Sequence, residues 1–273
     1  MTRKIQQLSE SGLQVSYLEK GEGQPLVLIH GVGMNADAWY PQMDLLSRYF
    51  RVLAVDMPGH GESSGFHHAA GLKDYVRWLV LFLQTQPEQH FAVAGHSMGA
   101  LITAGIAIDH PELVNHAIVM SGVFKRSNSA RDAVLKRAEE LASGRVRLDA
   151  PLDRWFSDQP YEQPLRQQVG GWLQQVNLDG YARAYQAFAE GDRFYSDRWN
   201  EMQCPVLVMT GELDTNSSPD MTHRMAQAAA QGQAVVVANA KHMLNLTDAD
   251  RVNDEILSFL SMDTGNVIQN KAC

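Results

Sequence analysis

Ser97, Asp214 and His242 are the residues of this chain whose types, order and settings fit nucleophilic catalysis. The pentapeptide Gly95-His96-Ser97-Met98-Gly99 follows the apolar run His90-Phe91-Ala92-Val93-Ala94 and precedes the helix-like stretch Ala100-Leu101-Ile102-Thr103-Ala104. A strand, a G-x-S-x-G pattern and a helix in that order describe a nucleophile elbow. The turn must be sharp, so the serine backbone is strained and its neighbours must be small. Gly95, Gly99 and Ala100 supply that room. Such a turn lifts the Ser97 hydroxyl above a sheet, with the N-terminus of the next helix beneath it. The helix dipole and the free amide of Met98 then favour negative charge developing beside the serine.

A serine hydroxyl is a poor nucleophile unless a base near neutrality takes its proton and a carboxylate orients that base. The apolar run at 205–209 leads into Thr210-Gly211-Glu212-Leu213-Asp214, which places Asp214 in a loop at a strand's C-terminal end. A second run, at 234–238, leads into Asn239-Ala240-Lys241-His242-Met243, with His242 in an equivalent loop. A loop aspartate alone is ordinarily a turn former, and a single histidine is ordinarily structural. Three such groups at the ends of strands, in the order Ser, Asp, His, favour catalysis. Glu212 is the competing acid, but two residues earlier on a continuing strand it points elsewhere, so Asp214 is preferred. A second oxyanion donor is expected after the strand at 25–30, in Gly31-Val32-Gly33-Met34. There Gly31 would allow a tight reversal, aiming the Val32 amide at the oxygen that Met98 serves. His30, Asp56 and His60 read as scaffold.

Taken together, His30-Gly31-Val32-Gly33, Asp56-Met57-Pro58-Gly59-His60-Gly61-Glu62-Ser63, the elbow at Ser97, Asp214 and His242 resemble the landmarks of the α/β-hydrolase superfamily across nearly the whole chain. Within it, Leu152-Asp153-Arg154-Trp155-Phe156 and Asp179-Gly180-Tyr181 look like segments of small bacterial catabolic hydrolases related to 3-oxoadipate enol-lactonases. The acid loop through Pro219 and the base loop Lys241-His242-Met243-Leu244-Asn245 differ from the enol-lactonase pattern. A second similar branch cleaves the enamide bond of amidomethylene-succinates. The resemblance implies a serine hydrolase acting on an ester, a lactone or an activated amide. A ligand sensor with little turnover and cofactor-free oxygen chemistry are rivals on the same scaffold, since fold alone does not set function.

Apolar β runs alternate with helical patterns along the chain, which predicts an α/β fold with a mostly parallel, doubly wound sheet. Strands are expected near 13–19, 25–30, 51–56, 90–95, 116–121, 205–210 and 233–238, and helices near 69–86, 98–109, 218–230 and 248–260. Residues 124–200 interrupt the alternation with helical stretches and aromatics. They are expected to form a helical lid inserted between the sixth and seventh strands, over the strand ends where open α/β sheets bind ligands. The remainder, 1–123 and 201–260, forms the core, and 261–273 a loose tail.

The lid is distinguished by its charge. Ten of the chain's sixteen arginines lie in 124–200, where basic and acidic residues nearly balance, so the net charge of −8 resides elsewhere. Arginine's planar fork suits carboxylates. At about 100° per residue, Arg131 and Arg137 fall within the apolar arc of 130–142, where a merely solvated charge is not expected. They either snorkel to water or reach a substrate. An arginine and aromatic pair, Arg154-Trp155, combined with an arginine on an earlier lid helix, resembles the carboxylate-binding arrangement of the amidomethylene-succinate hydrolases. Carried over, this gives Arg137 and Arg154 as a clamp. Trp155, Phe156, Trp172, Tyr181, Tyr185 and Phe188 either line a pocket or form the lid's own small core, the latter being the expectation for any one of them.

Bulk properties are those expected of a soluble intracellular enzyme. A chain of 273 residues can bury a substantial core. Its negative charge disfavours nucleic-acid and anionic-membrane partners. Cys204 and Cys273 precede a strand and end a polar tail, so a reducing compartment is expected. The first residues lack a signal-like apolar core and no run is long enough to span a bilayer, which points to the cytoplasm. No metal-spaced cluster or phosphate loop is present in the sequence, and no cofactor is expected. No heptad or long exposed edge signals an oligomeric state.

Overall fold

The central strands are apolar over most of their length, which suits strands buried on both faces. The computed structural model describes residues 1–144 and 149–261. Eight strands form one sheet: β1 (Thr2–Gln7), β2 (Gln14–Lys20), β3 (Pro25–Ile29), β4 (Arg51–Val55), β5 (Phe91–His96), β6 (Val114–Met120), β7 (Val206–Gly211) and β8 (Gly232–Val237). Their spatial order is β1-β2-β4-β3-β5-β6-β7-β8. β2 runs antiparallel to both its neighbours, and every pair from β4 to β8 is parallel. Alternate side chains divide between two cores. Val27, Ile29, Val93 and Val208 face one, while Leu26, Leu28, Ala94 and Met209 face the other. The first core is closed by α2 (Leu72–Leu83), α3 (Met98–Asp109) and α8 (Pro219–Ala228), and the second by α1 (Tyr40–Leu46), α9 (Leu244–Thr247) and α10 (Ala249–Ser261).

This is the expected doubly wound architecture, with β1, α1 and α9 added. β1 gave no apolar signal because it is an edge strand with both faces largely exposed. Counting it puts the inserted helices between the sixth and seventh strands. α1 is short and begins with Pro41 in its first turn, a favoured place for proline. The insertion comprises α4 (Asn128–Ala142), α5 (Ala150–Trp155), α6 (Gln163–Gln175) and α7 (Leu178–Gly191). The anticipated tail from 262 onward, with Cys273, lies outside the described residues. Cys204 is buried with a free thiol.

The inserted helices rest on the core through close backbone contact. A Cβ placed on Gly180, in the first turn of α7, would lie 2.2 Å from the Gly59 carbonyl oxygen. A side chain at Gly33 would run into Leu173 and Tyr181. Two histidines fasten the loops on which α7 sits. His30 Nε2 accepts the Met57 N–H at 3.0 Å, and His60 Nε2 accepts the Gly33 N–H at 3.1 Å. Each ring's Nδ1 donates to a backbone carbonyl, Gly31 for His30 and Pro58 for His60. Asp56 accepts from the Ala36 N–H and from Arg3 on β1, so the edge strand is tied to the same loop. A third ring, His96, donates from Nε2 to the His242 carbonyl at 2.8 Å.

Burial lowers the pKa of all three rings from the ordinary 6.5, to about 4 for His30 and to about 3 for His60 and His96. They are neutral in the native protein, whereas an unfolded chain protonates them below 6.5. The unfolded state therefore binds more protons in this window, and stability falls as pH drops from about 6.5 toward 4. Each ring contributes up to about 1.4 kcal/mol per pH unit. Urea unfolding at pH 7 and pH 5 should show this loss, and His60→Gln should make it shallower. Gly180→Ala is expected to cost about 1–3 kcal/mol, read as a lower Tm, because its methyl meets backbone that has no rotamer to yield.

Candidate active site

Ser97 occupies the turn between β5 and α3 with φ 56° and ψ −109°, a conformation that is costly for any residue with a Cβ. The flanking glycines permit the turn. A Cβ on Gly95 would lie 2.0 Å from the Gly99 carbonyl oxygen, and one on Gly99 would lie 2.1 Å from that of Ile29. The Ser97 N–H donates to Met120 on β6 at 2.9 Å. Met98 opens α3, so its N–H has no intrahelical acceptor, while its side chain packs into the core.

The loops after β7 and β8 bring the other two residues together. His242 Nδ1 donates to Asp214 Oδ2 at 2.7 Å, and each residue is 3% exposed. Asp214 Oδ1 accepts from the N–H groups of Asn216 at 2.8 Å and Ser217 at 3.1 Å. Burial alone would raise the Asp214 pKa. The charge and hydrogen bond of His242, with the two backbone donors, outweigh it and hold the carboxyl below its ordinary range. The competing acid, Glu212, is exposed and accepts the Asn239 N–H instead.

The loop after β3 approaches the serine: a Cβ on Gly31 would lie 3.1 Å from Ser97 Cβ. The left-handed residue of this loop is Gly33, at φ 82°, and not Gly31 as the sequence suggested. Gly31 serves close approach, and Gly33 turns the chain. Val32, between them, lines a cavity of about 480 Å³ together with Ser97 and His242. That size suits a small molecule.

The inserted helices supply the far wall. Trp155, Tyr181, Tyr185 and Phe188 line the cavity, whereas Phe156 and Trp172 pack with Met34, Leu173 and Met243 in a separate cluster. The expected private lid core is not seen for these six: four line the cavity, and Phe156 and Trp172 pack in a cluster shared with core residues Met34, Ala38, Met243 and Leu246. The Trp155 ring stacks on His242, with centroids 5.8 Å apart and planes 26° apart.

Arg137 and Arg154 line the same cavity. Arg137 Nη1 donates to the Tyr185 hydroxyl at 3.2 Å. Arg154 Nε is buried without a partner, and among the described residues neither guanidinium meets a carboxylate. Burial, and then the charge of Arg137, lower the Arg154 pKa. Arg131 is a correction. Its guanidinium turns to the fully buried carboxylate of Asp192, just beyond α7, and it does not line the cavity. The apolar arc of α4 placed it correctly on the inner face, but the anion it meets there is the protein's own.

Arg126 was missed. It is 4% exposed, lines the cavity, and lies over the Phe188 ring with its guanidinium carbon 4.5 Å from the centroid. Burial lowers its pKa to about 10, against the opposing pull of Asp192. It precedes α4, so helical periodicity could not assign it a face. Its position shortly after the end of β6 was the only available signal.

Residues 26–255 match the alpha/beta hydrolase family. The chain is 45% identical over 260 residues to the (E)-2-((N-methylformamido)methylene)succinate hydrolase of Acinetobacter baylyi, an alignment covering 95% of this chain and 98% of that one. Among solved structures, a thermophilic esterase from Thermogutta terrifontis is similar with a TM-score of 0.86, at 22% identity, over 96% of this chain and 98% of that one. The enol-lactonase from Burkholderia xenovorans gives a TM-score of 0.83 at 24% identity, over 92% and 97% of the two chains. At those identities the two structures establish the fold. With the family match over residues 26–255 and the elbow in place, the chain belongs to the alpha/beta hydrolase family and is a hydrolase.

Proposed function

We propose that this hydrolase cleaves the enamide bond of a small dicarboxylate of the amidomethylene-succinate type, using Ser97 as nucleophile. One observation carries the reading. Two arginines that meet no carboxylate among the described residues, Arg137 and Arg154, line the cavity that also holds Ser97 and His242. Two guanidinium groups lining one partly desolvated cavity favour an anion there. The relative from Acinetobacter baylyi supports the substrate class.

In the mechanism, Asp214 fixes the tautomer that keeps the proton on His242 Nδ1, leaving Nε2 as the base. His242 takes the Ser97 proton as the oxygen attacks the amide carbonyl. The Val32 and Met98 amides stabilise the resulting oxyanion. The C–N bond then breaks and His242 returns its proton to the nitrogen. Conjugation of that nitrogen with a carboxyl-bearing double bond withdraws electrons and makes it a better leaving group. Water, activated by His242, attacks the acyl-serine, releasing the acid and regenerating the hydroxyl. Trp155 stacks on the His242 ring and lines the same cavity.

Steady-state hydrolysis of an amidomethylene-succinate, an enol-lactone carboxylate and neutral p-nitrophenyl esters tests the assignment. Ser97→Ala is expected to lower kcat by about 10⁴-fold or more. Retention of most activity, with loss in His242→Ala, would replace the serine route by direct activation of water. Arg137→Ala and Arg154→Ala should each raise KM for the dicarboxylate by about 10- to 100-fold, the value of a charged hydrogen bond, with little change for the neutral esters. An unchanged KM in both variants rules out the clamp. Tight binding of one compound without turnover would identify a sensor.

A further inference from the structure

Lys241 marks the base loop's departure from the enol-lactonase pattern, and the chemistry above gives it no task. Its ammonium donates to the carbonyl oxygens of Phe156 at 2.7 Å and Asp153 at 3.2 Å. These carbonyls bracket Arg154 and Trp155, the residues that reach into the cavity from α5. We propose that Lys241 is a positioning residue that straps the last turn of α5 to the base loop, so that Arg154 and Trp155 are held in register with His242. The proposal rests on the carboxylate-binding reading of Arg154.

The two ends of the strap are unequal. The base loop is fixed from below: Leu213 donates to the Ala240 carbonyl at 2.9 Å, and His96 donates to that of His242. Gly211 lies so close that an added Cβ would be 2.5 Å from the Lys241 carbonyl oxygen. The α5 end has weaker supports. The helix is six residues long with only Pro151 fully buried. Its Asp153–Arg166 ion pair is largely exposed on the aspartate side, where such pairs contribute little. Phe156 is buried beside Met243 and sets how deeply the turn sits, but apolar contact has no direction. Two hydrogen bonds from one ammonium to carbonyls three residues apart do have direction, and they set the rotation of the turn.

The Asp153 carbonyl is open to this donor for a local reason. The N–H that would continue the helix onto it, that of Ser157, donates to Glu162 Oε2 instead at 2.6 Å. Lysine near a helix C-terminus commonly serves such freed carbonyls. Here the lysine comes from the residue adjoining His242, so the anion-binding turn and the base share one short segment. The orientation of Arg154 and the stacking of Trp155 on the imidazole are then set together.

The test compares Lys241→Met, which keeps the apolar stem, with Lys241→Arg, which keeps two donors, each also combined with Arg154→Ala. Lys241→Met should raise KM for the amidomethylene-succinate about tenfold, the cost of losing a charged hydrogen bond, while KM for a neutral p-nitrophenyl ester stays within about twofold. Lys241→Arg should restore most of the loss. In the Arg154→Ala background Lys241→Met should add less than about twofold, because coupled residues are non-additive. Independently of any substrate, amide exchange across residues 150–156 should quicken about tenfold or more in Lys241→Met, with residues 241–246 unchanged. Equal losses on both substrates, full additivity with Arg154→Ala, or unchanged exchange overturns the strap. If the wild-type protein shows no preference for the dicarboxylate, the carboxylate reading fails, and hydrogen exchange alone decides the strap.

Discussion

The left-handed backbone of Ser97 is the constraint around which this structure is organised. A residue with a side chain does not hold φ near 56° unaided. Here β5 enters the turn from the middle of a parallel sheet, and α3 leaves it buried on nearly every side. Neither element can relax without disturbing a core packed on both faces. Within this turn the strain therefore falls on Ser97, with a glycine pressed against backbone two residues away on either side. The loop after β3 can approach only because it too presents a glycine there, and the histidines beneath it hold that approach. Stability at the centre of the sheet is converted into placement of one hydroxyl.

Much of this was legible in the sequence, for identifiable reasons. The elbow was readable because its glycines are demanded by sterics and its flanks by two distinct periodicities. The preference for Asp214 over Glu212 followed from its place in the loop beyond the strand end, and the hydrogen bond to His242 agrees with it. Arg137 and Arg154 were identified from a helical arc and from resemblance, and both line the cavity. Periodicity failed where the answer depended on another segment. Arg131 and Arg137 share the inner face of α4, yet the first meets Asp192 from beyond α7 and the second does not. No pattern within α4 distinguishes an arginine that meets a protein carboxylate from one that faces open space. β1 escaped notice because an edge strand exposed on both faces need not alternate, and Arg126 because it lies in the loop between β6 and α4.

The inserted helices meet the core through two kinds of contact with different consequences. Where Gly59 touches Gly180, backbone lies on backbone and there is little room to slide. Where α5 meets the base loop, a flexible lysine side chain spans the gap. The α7 side of the cavity is thus the stiff wall. The α4–α5 side, which carries Arg137, Arg154 and Trp155, is the wall whose geometry depends on side-chain interactions.

On the proposed reading, the presence of Arg137 and Arg154 in one cavity, with no carboxylate on either among the described residues, has a further consequence for turnover. Carboxylates held there are untouched when a bond elsewhere in the molecule is cut. The same grip therefore acts on substrate, transition state and product alike. Binding of that uniform kind aids capture at low concentration but lowers no barrier, and it slows departure. Acceleration has to come from the elbow and the oxyanion amides, where charge changes during reaction. Product retention is the corresponding burden of an arginine-lined wall, and movement of the α4–α5 side is the natural means of relieving it.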